Sequence, residues 1–408
     1  MSPEPKRRNL TVDEARARML AGVAALAAED VPLDRASGRV LAEPIAALRD
    51  QPPFDASAMD GWALRRADAR PGARLRIVGE SAAGHGFIGT VAPGEAARIF
   101  TGAPVPDGAD WVVIQENARR DGDHVLLEDA LGPSDGHVRP RGCDLKAGET
   151  VLAAGDRLDP WRLALAAAAG AQALSVVRRP RIAVLAHGEE LIAPGAAPQP
   201  WQIPDTGGPG VCALVEAWGG EPERLRAVGD EKAAIAASVA GAAADLVVVI
   251  GGASVGDHDL VKPALADLGL KLAVETIDVR PGKPTWFGIL GDGRPVLGLP
   301  GNPASAFVCA ELFLKPLVQA MLGRPAQPVL VPAVLQGDLP ANGSREQWMR
   351  AALDQDETGH LRVTPFARQD SSLVGVFARA DALLRRESGA PEANLGQIVK
   401  ILRLDRLP

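Results

Sequence analysis

A chain of 408 residues, 47% apolar and 23% charged, has an ordinary globular composition but is too long for one core, so two to four folding units are expected. A net charge of −7 excludes a broad basic nucleic-acid surface, and no uncharged apolar run reaches the ~18 residues of a membrane span. The leading residues SPEPKRRN precede no apolar stretch, so the expected compartment is the cytoplasm.

The first predicted element is a helix over 11–28. Thr11 and Glu14 form a capping-box pattern, and Val12, Ala15, Met19, Leu20, Val23 and Leu26 share one face. From about 46 to 146, short β-type runs (Leu75–Val78, Trp111–Gln115, His124–Glu128) alternate with Gly and Pro turns, which predicts a small β-rich insert. Residues 147–177 regain helical character. They are predicted to join 1–45 in a discontinuous helical unit.

Residues 178–326 alternate strands with helices. Strands are predicted at Arg181–Ala186, near Leu225–Val228, at Leu246–Ile250, near Ala273–Val279, at Trp286–Ile289 and at Pro295–Gly298, with a last helix over Pro303–Met321. This spacing implies a doubly wound, mostly parallel α/β sheet that binds ligands at its carboxyl edge. Residues 327–408 read as a separate, barrel-like β domain. The three cysteines lie far apart and pair in no CxxC motif. Cys212 and Cys309 fall in apolar helical patterns, and an uneventful role is expected for Cys143 as well.

Three loops at strand ends carry the chemistry. Gly251-Gly252-Ala253-Ser254-Val255-Gly256 follows the strand Leu246–Ile250, and its glycines let backbone amides converge on an oxyanion, with the Ser254 hydroxyl beside them. Pro300-Gly301-Asn302-Pro303 opens the last helix, with Asn302 as N-cap and Pro303 as first helical residue, offering free amides and a positive dipole end. Arg280-Pro281-Gly282-Lys283-Pro284 holds two cations on a rigid turn. Carboxylates beside such a site repel an anion unless a hard cation bridges them, so Mg²⁺ held by Glu190, Asp230 and Asp259 is expected. Two other patterns carry nothing. Gly84–Gly89 matches GxGxxG but opens no helix, and Gly282-Lys283 lacks Walker A spacing.

Longer stretches then bear a family resemblance. Pro52-Pro53-Phe54-Asp55-Ala56-Ser57-Ala58-Met59-Asp60-Gly61-Trp62-Ala63, Thr101-Gly102-Ala103-Pro104-Val105-Pro106 and Arg141-Gly142-Cys143-Asp144 occur in order with GGASVGDHD, RPGKP and GLPGNPASA. Together they resemble the molybdopterin molybdenumtransferases, relatives of the gephyrin E domain. The resemblance implies an elongated homodimer that inserts molybdenum from molybdate into adenylylated molybdopterin and releases AMP, with Mg²⁺ required. By position it implies Asp60, Thr101, Asp144, Glu190, Lys283 and Arg350 as catalytic residues. It likewise implies Asp205, Thr206, Gly251, Gly252, Ser254, Gly256, Arg280, Gly282, Pro300, Gly301, Asn302, Pro303 and Ser371 as cofactor-binding residues. Partners would be the adenylyltransferase that supplies the substrate and molybdoenzyme maturation factors.

Five positions depart from the family pattern. Glu189 follows His187-Gly188 where Thr/Ser-Gly-Asp is usual, Gly207 replaces an asparagine, Thr276 replaces a lysine, and Asp381 stands where asparagine is common. They keep open an alternative, a diverged molybdopterin-binding carrier or sensor without insertion activity.

Overall fold

The computed structural model describes residues 9–129, 136–225, 231–252 and 260–404. It divides into two compact units, residues 30–176 and the remainder of the chain. It is a multi-domain α/β structure.

The 30–176 unit is built on a six-stranded sheet in the order Trp111–Ile114, Gly61–Leu64, Glu95–Ile99, Arg74–Ser81, His124–Leu127, Ala118–Asp121. All neighbours are antiparallel except Arg74–Ser81 beside Glu95–Ile99. Apolar residues on one face (Trp62, Leu64, Leu75, Trp111, Val113, Val125) make its core. Gly61 is required at its position, because a Cβ there would lie 2.0 Å from the Val113 carbonyl oxygen. The helical character expected of 147–177 reduces to one helix, Pro160–Ala168, capped by Asp159.

The other unit opens with a helix at Val12–Leu20. The Thr11 hydroxyl accepts from the Glu14 amide and the Glu14 carboxylate accepts from the Thr11 amide, as the capping-box pattern requires. The helix stops eight residues before the sequence reading placed its end, because Gly22 (φ 87°) turns the chain away.

The central sheet runs Glu221–Arg224, Arg181–Ala186, Leu246–Ile250, Pro295–Leu299, Trp286–Ile289, Lys271–Val274. Its first four strands are parallel and its last two antiparallel. Leu246–Ile250 is buried along its whole length, which explains its uninterrupted apolar run. Helices Gly207–Ala217, Lys232–Gly241 and Val261–Ala266 connect the strands. A strand runs over Glu221–Arg224, and most of the strand expected near 225–228 falls outside the described residues.

The last helical run is continuous from Pro303 to Met321 but contains a π-helical turn, Ala310–Leu314. It is long and apolar enough to pass a membrane-span test, yet 78% of it is buried within the fold, and Glu311 and Lys315 interrupt it. The widened turn leaves the Leu312 carbonyl to the Arg16 guanidinium, 3.2 Å away. The C-terminal sheet closes on itself. Strands Glu346–Gln355, Leu361–Pro365, Leu330–Leu335, Ile398–Arg403 and Ala382–Arg386 form a ring, since the first also pairs with the last.

Candidate functional site

The order of the central sheet reverses between Arg181–Ala186 and Leu246–Ile250, so their carboxyl ends form a switch-point crevice. The two chains remain paired past the strands, with the His187 amide donating to the Ile250 carbonyl at 2.9 Å. Gly251 has φ 95°, and a Cβ there would lie 2.3 Å from the His187 carbonyl oxygen. Its amide donates to the Leu299 carbonyl, and Gly301 packs against its Cα. The fold therefore brings Gly251 and Gly252 together with Pro300 and Gly301. Ser254, Gly256, Asp230 and Asp259 lie outside the described residues.

Asn302 and Pro303 occupy the expected N-cap and first helical positions. The expectation of free helix amides is corrected in part. The Ala304 amide donates to the Ser371 carbonyl at 3.0 Å, and the Asn302 side-chain amide donates to the Ser371 hydroxyl at 2.9 Å instead of capping the helix. Next to Ser371, the Asp370 carbonyl accepts from Arg350 Nη2 at 2.9 Å. Arg350 is fully buried, and its Nε and Nη1 have no hydrogen-bond partner among the described residues. Burial pushes its pKa down, against the pull of the Asp370 carboxylate. A guanidinium whose Nε and Nη1 are left without partners has donors of the kind that pair with an oxyanion.

The Arg280–Lys283 turn hangs from the barrel, where Val279–Arg280 pairs in parallel with Glu346 and Gln347. Arg280 and Lys283 are both exposed. Underneath, Gly282 (φ 115°) is seated so closely on Cys309 that a Cβ would lie 2.1 Å from Sγ. The Thr285 hydroxyl donates to the Gly282 carbonyl at 2.7 Å and sits 3.1 Å from the same sulfur. Complete burial pushes the Cys309 thiol up to about 12, so the sulfur serves as packing under a cationic turn. The sequence reading placed Cys309 in the core but did not connect it to this turn. The signal was the small Gly282 between two prolines.

Glu190 is exposed, and its carboxylate folds over Gly188, where a Cβ would meet Oε2 at 2.5 Å. Its carbonyl accepts from the Ile203 amide, tying it to the segment that leads to Asp205. Asp205 is buried with both oxygens engaged. Oδ1 accepts from the Gly208 amide and Oδ2 from Arg224, each at 2.8 Å, so it caps the helix Gly207–Ala217. Thr206 precedes that helix and is exposed. No cluster of three His, Cys, Asp or Glu side chains occurs among the described residues.

The 30–176 unit has its own polar cluster, at one end of three adjacent strands. Asp60 Oδ1 accepts from the Thr101 amide at 2.7 Å and the Thr101 hydroxyl at 2.8 Å. These bonds hold its pKa below the usual carboxylate range, with a smaller contribution from Arg98. Asp144 sits apart on the exposed Arg141–Asp144 turn. That turn is tied through backbone bonds to Gln51 and Pro52 and through the Arg141 amide to the Asp55 carboxylate.

Known proteins match along the whole of this arrangement. Residues 10–170 fit the MoeA N-terminal region (domain I and II), 183–320 a probable molybdopterin binding domain, and 332–404 the MoeA C-terminal region (domain IV). A Nostoc protein named molybdopterin molybdenumtransferase is 37% identical, over 80% of this chain and 77% of its own. A Haemophilus influenzae protein of the same name is 33% identical, over 96% and 98%. The chain belongs to the molybdopterin molybdenumtransferase family. A crystal structure of the molybdopterin biosynthesis moeA protein from Pyrococcus horikoshii OT3 superposes with TM-score 0.82 at 28% identity, covering 97% of this chain and all of that one.

Three of the positions that set this chain apart from the resemblance, Gly207, Thr276 and Asp381, have defined local surroundings. A Cβ at Gly207 would already lie 3.1 Å from Ile250 Cγ2, so an asparagine there has little room. The Thr276 hydroxyl donates to Asn9 Oδ1 at 2.8 Å, anchoring the N-terminal segment. Asp381 Oδ2 accepts from the Leu353 amide within the barrel.

Proposed function

We propose that this chain inserts molybdenum from molybdate into adenylylated molybdopterin and releases AMP. The observation that carries the reading is Arg350, a fully buried guanidinium whose Nε and Nη1 have no partner among the described residues, linked through Asp370 and Ser371 to the amino end of the helix at Pro303. The Gly252 amide and the cations Arg280 and Lys283 support it as further oxyanion donors, with Gly251, whose amide is taken by the Leu299 carbonyl, shaping the turn. The chemistry asks the protein for positioning and electrostatics, and no Ser-His-Asp or Cys-His arrangement is required.

Glu190 offers the hard oxygen donor that Mg²⁺ takes, and with Asp230 and Asp259 it would hold that ion, which when bound neutralises phosphoanhydride oxygens. Asp60, Thr101 and Asp144 complete the proposed catalytic set. Thr206, Ser254, Gly256, Gly282, Pro300, Gly301, Asn302, Pro303 and Ser371 complete the ligand-binding set, while Asp205 contributes by capping the helix behind it.

A homodimer in the cytoplasm is part of the same proposal. Leu48 and Trp161, large apolar side chains left 75% and 83% exposed, support a second copy as their cover. The folding domains proposed are 1–45 with 147–177, 46–146, 178–326 and 327–408. The adenylyltransferase and molybdoenzyme maturation factors remain the proposed protein partners.

The test is AMP release from adenylylated molybdopterin with molybdate and Mg²⁺. Turnover that disappears on omitting molybdate supports the reading. Tight binding of the substrate without AMP release overturns it in favour of a carrier. A Glu190→Ala variant with an unchanged Mg²⁺ dependence removes Glu190 from the ion site.

A further inference from the structure

Arg98 has not yet been given a role, although it touches every strand end that meets at Asp60. It lies on Glu95–Ile99, directly across from Trp62. Its guanidinium is held between the Trp62 ring, with Cζ 5.5 Å from the centroid, and the Phe100 ring at 4.7 Å. Nη1 donates to the Gly61 carbonyl at 2.9 Å and Nη2 to Gln115 Oε1 at 2.8 Å.

Each of those contacts borders the Asp60–Thr101 pair. Gly61 follows Asp60 in the chain, Phe100 precedes Thr101, and the Gln115 amide donates to the Asp60 carbonyl at 3.0 Å. One planar, five-donor group therefore fixes the three backbone segments that set the Asp60 carboxylate against the Thr101 hydroxyl and amide. A lysine has the charge but not the fork, and its ammonium cannot make both bonds while stacked on two rings.

We infer that Arg98 is a positioning residue for the reaction, holding the Asp60 carboxylate and the Thr101 hydroxyl in working geometry. The inference rests on the proposed function and on Asp60 as part of its machinery. The charged groups around Asp60 are Arg98 and, beyond Gln115, Glu116, whose carboxylate accepts from Gln115 Nε2 at 3.4 Å. Loss of Arg98 therefore both frees the carboxylate to move and removes the nearby positive charge.

The experiment compares full-length wild type, Arg98→Met, Arg98→Lys, Asp60→Asn and the Arg98→Met/Asp60→Asn double variant. Arg98→Met is expected to lower kcat roughly tenfold to hundredfold with KM changed less than about threefold, as a displaced catalytic group does. Arg98→Lys is expected to recover part of that loss. In the Asp60→Asn background, Arg98→Met is expected to cost nothing further, because its effect passes through Asp60. Independent effects that multiply overturn the inference, as does full activity of Asp60→Asn or a loss confined to KM.

A second readout needs no turnover. In protein labelled with ¹³C at aspartate carboxyls, the Asp60 resonance is assigned by its disappearance in Asp60→Asn. Its titration is expected to move to higher pH in Arg98→Met, and an unmoved titration overturns the inference. Absence of AMP release by wild type removes the proposed function instead, while the carboxyl titration still decides whether Arg98 governs Asp60.

Discussion

The carbonyl oxygen of Ser371 receives the amide of Ala304 at 3.0 Å, so the barrel domain closes part of the helix end that was expected to be open to an anion. The same residue's hydroxyl takes the Asn302 amide, a bond at the protein surface. Ser371→Ala removes only the second of these. Its stability cost is expected to stay below about 1 kcal/mol, as for one exposed hydrogen bond. Molybdate affinity, read by calorimetry, is expected to fall several-fold. An affinity equal to wild type would separate Ser371 from the ligand.

Arg350→Met gives an unusual pair of signs. Removing a buried charge whose Nε and Nη1 lack partners among the described residues relieves desolvation at the cost of the one bond from Nη2 to Asp370, so urea unfolding should show stability unchanged or raised by about 1–2 kcal/mol. AMP release should fall by two orders of magnitude or more, about what one lost oxyanion donor costs. A large drop in stability would mean that Arg350 is a structural strut.

Gly282→Ala puts a methyl group into Cys309 Sγ and an L side chain at φ 115°. A loss of roughly 2–4 kcal/mol is expected from overpacking and backbone strain together. Adding Cys309→Ala should restore the overpacking part but not the strain. No rescue at all would show that the sulfur is not the obstacle.

Thiol reactivity should sort by burial. Cys143 is exposed, Cys212 half-buried with its pKa raised by burial, and Cys309 buried with its thiol near 12. At pH 8 a colorimetric disulfide reagent should therefore titrate one thiol quickly, a second slowly, and the third only after unfolding. A fast reaction of all three in the native protein would contradict the buried sulfur under Gly282.

Asp245 accepts two bonds from Arg178, at 2.8 and 2.9 Å, and one from the Arg181 amide. Burial pushes its pKa up, but these partners outweigh that and leave it below the usual carboxylate range. A depressed folded value stabilises at pH above the unfolded pKa of about 3.9, and the contribution disappears as pH falls through the folded value. Denaturant midpoints should therefore drop from pH 4 downward in wild type, and less steeply in Asp245→Asn. Parallel curves would mean that the pair contributes nothing.

What the sequence disclosed depended on how far apart the partners lie. The Thr11–Glu14 box, the Pro300–Pro303 helix opening and the buried strand Leu246–Ile250 are local patterns, and all stand where they were expected. The helix end at residue 20 was missed because Gly22, two residues on, outweighed an apolar periodicity that continues past it. Asp205 looked like a ligand residue, and its bonds from Arg224 and the Gly208 amide are visible only in three dimensions. The use of Ser371 by Ala304 joins residues 67 positions apart and has no local signature. Arg350 did leave a trace, since Glu346, Trp348 and Arg350 occupy the inward phase of one strand. Arg98 left none, because its meaning lies in Gly61, on a neighbouring strand, and Gln115, just past the end of another.

The bond from Arg16 to the Leu312 carbonyl spans 296 residues of chain. During synthesis the opening helix thus emerges long before the surface it rests on, while the 30–176 stretch already has all its strands. At about 5–20 residues per second the wait is roughly 15–60 s, during which Val12, Ala15 and Met19 have no native cover. The helix Val12–Leu20 is therefore among the last parts to settle, and a ribosome stalled before residue 312 would hold it undocked beside an already complete 30–176 sheet.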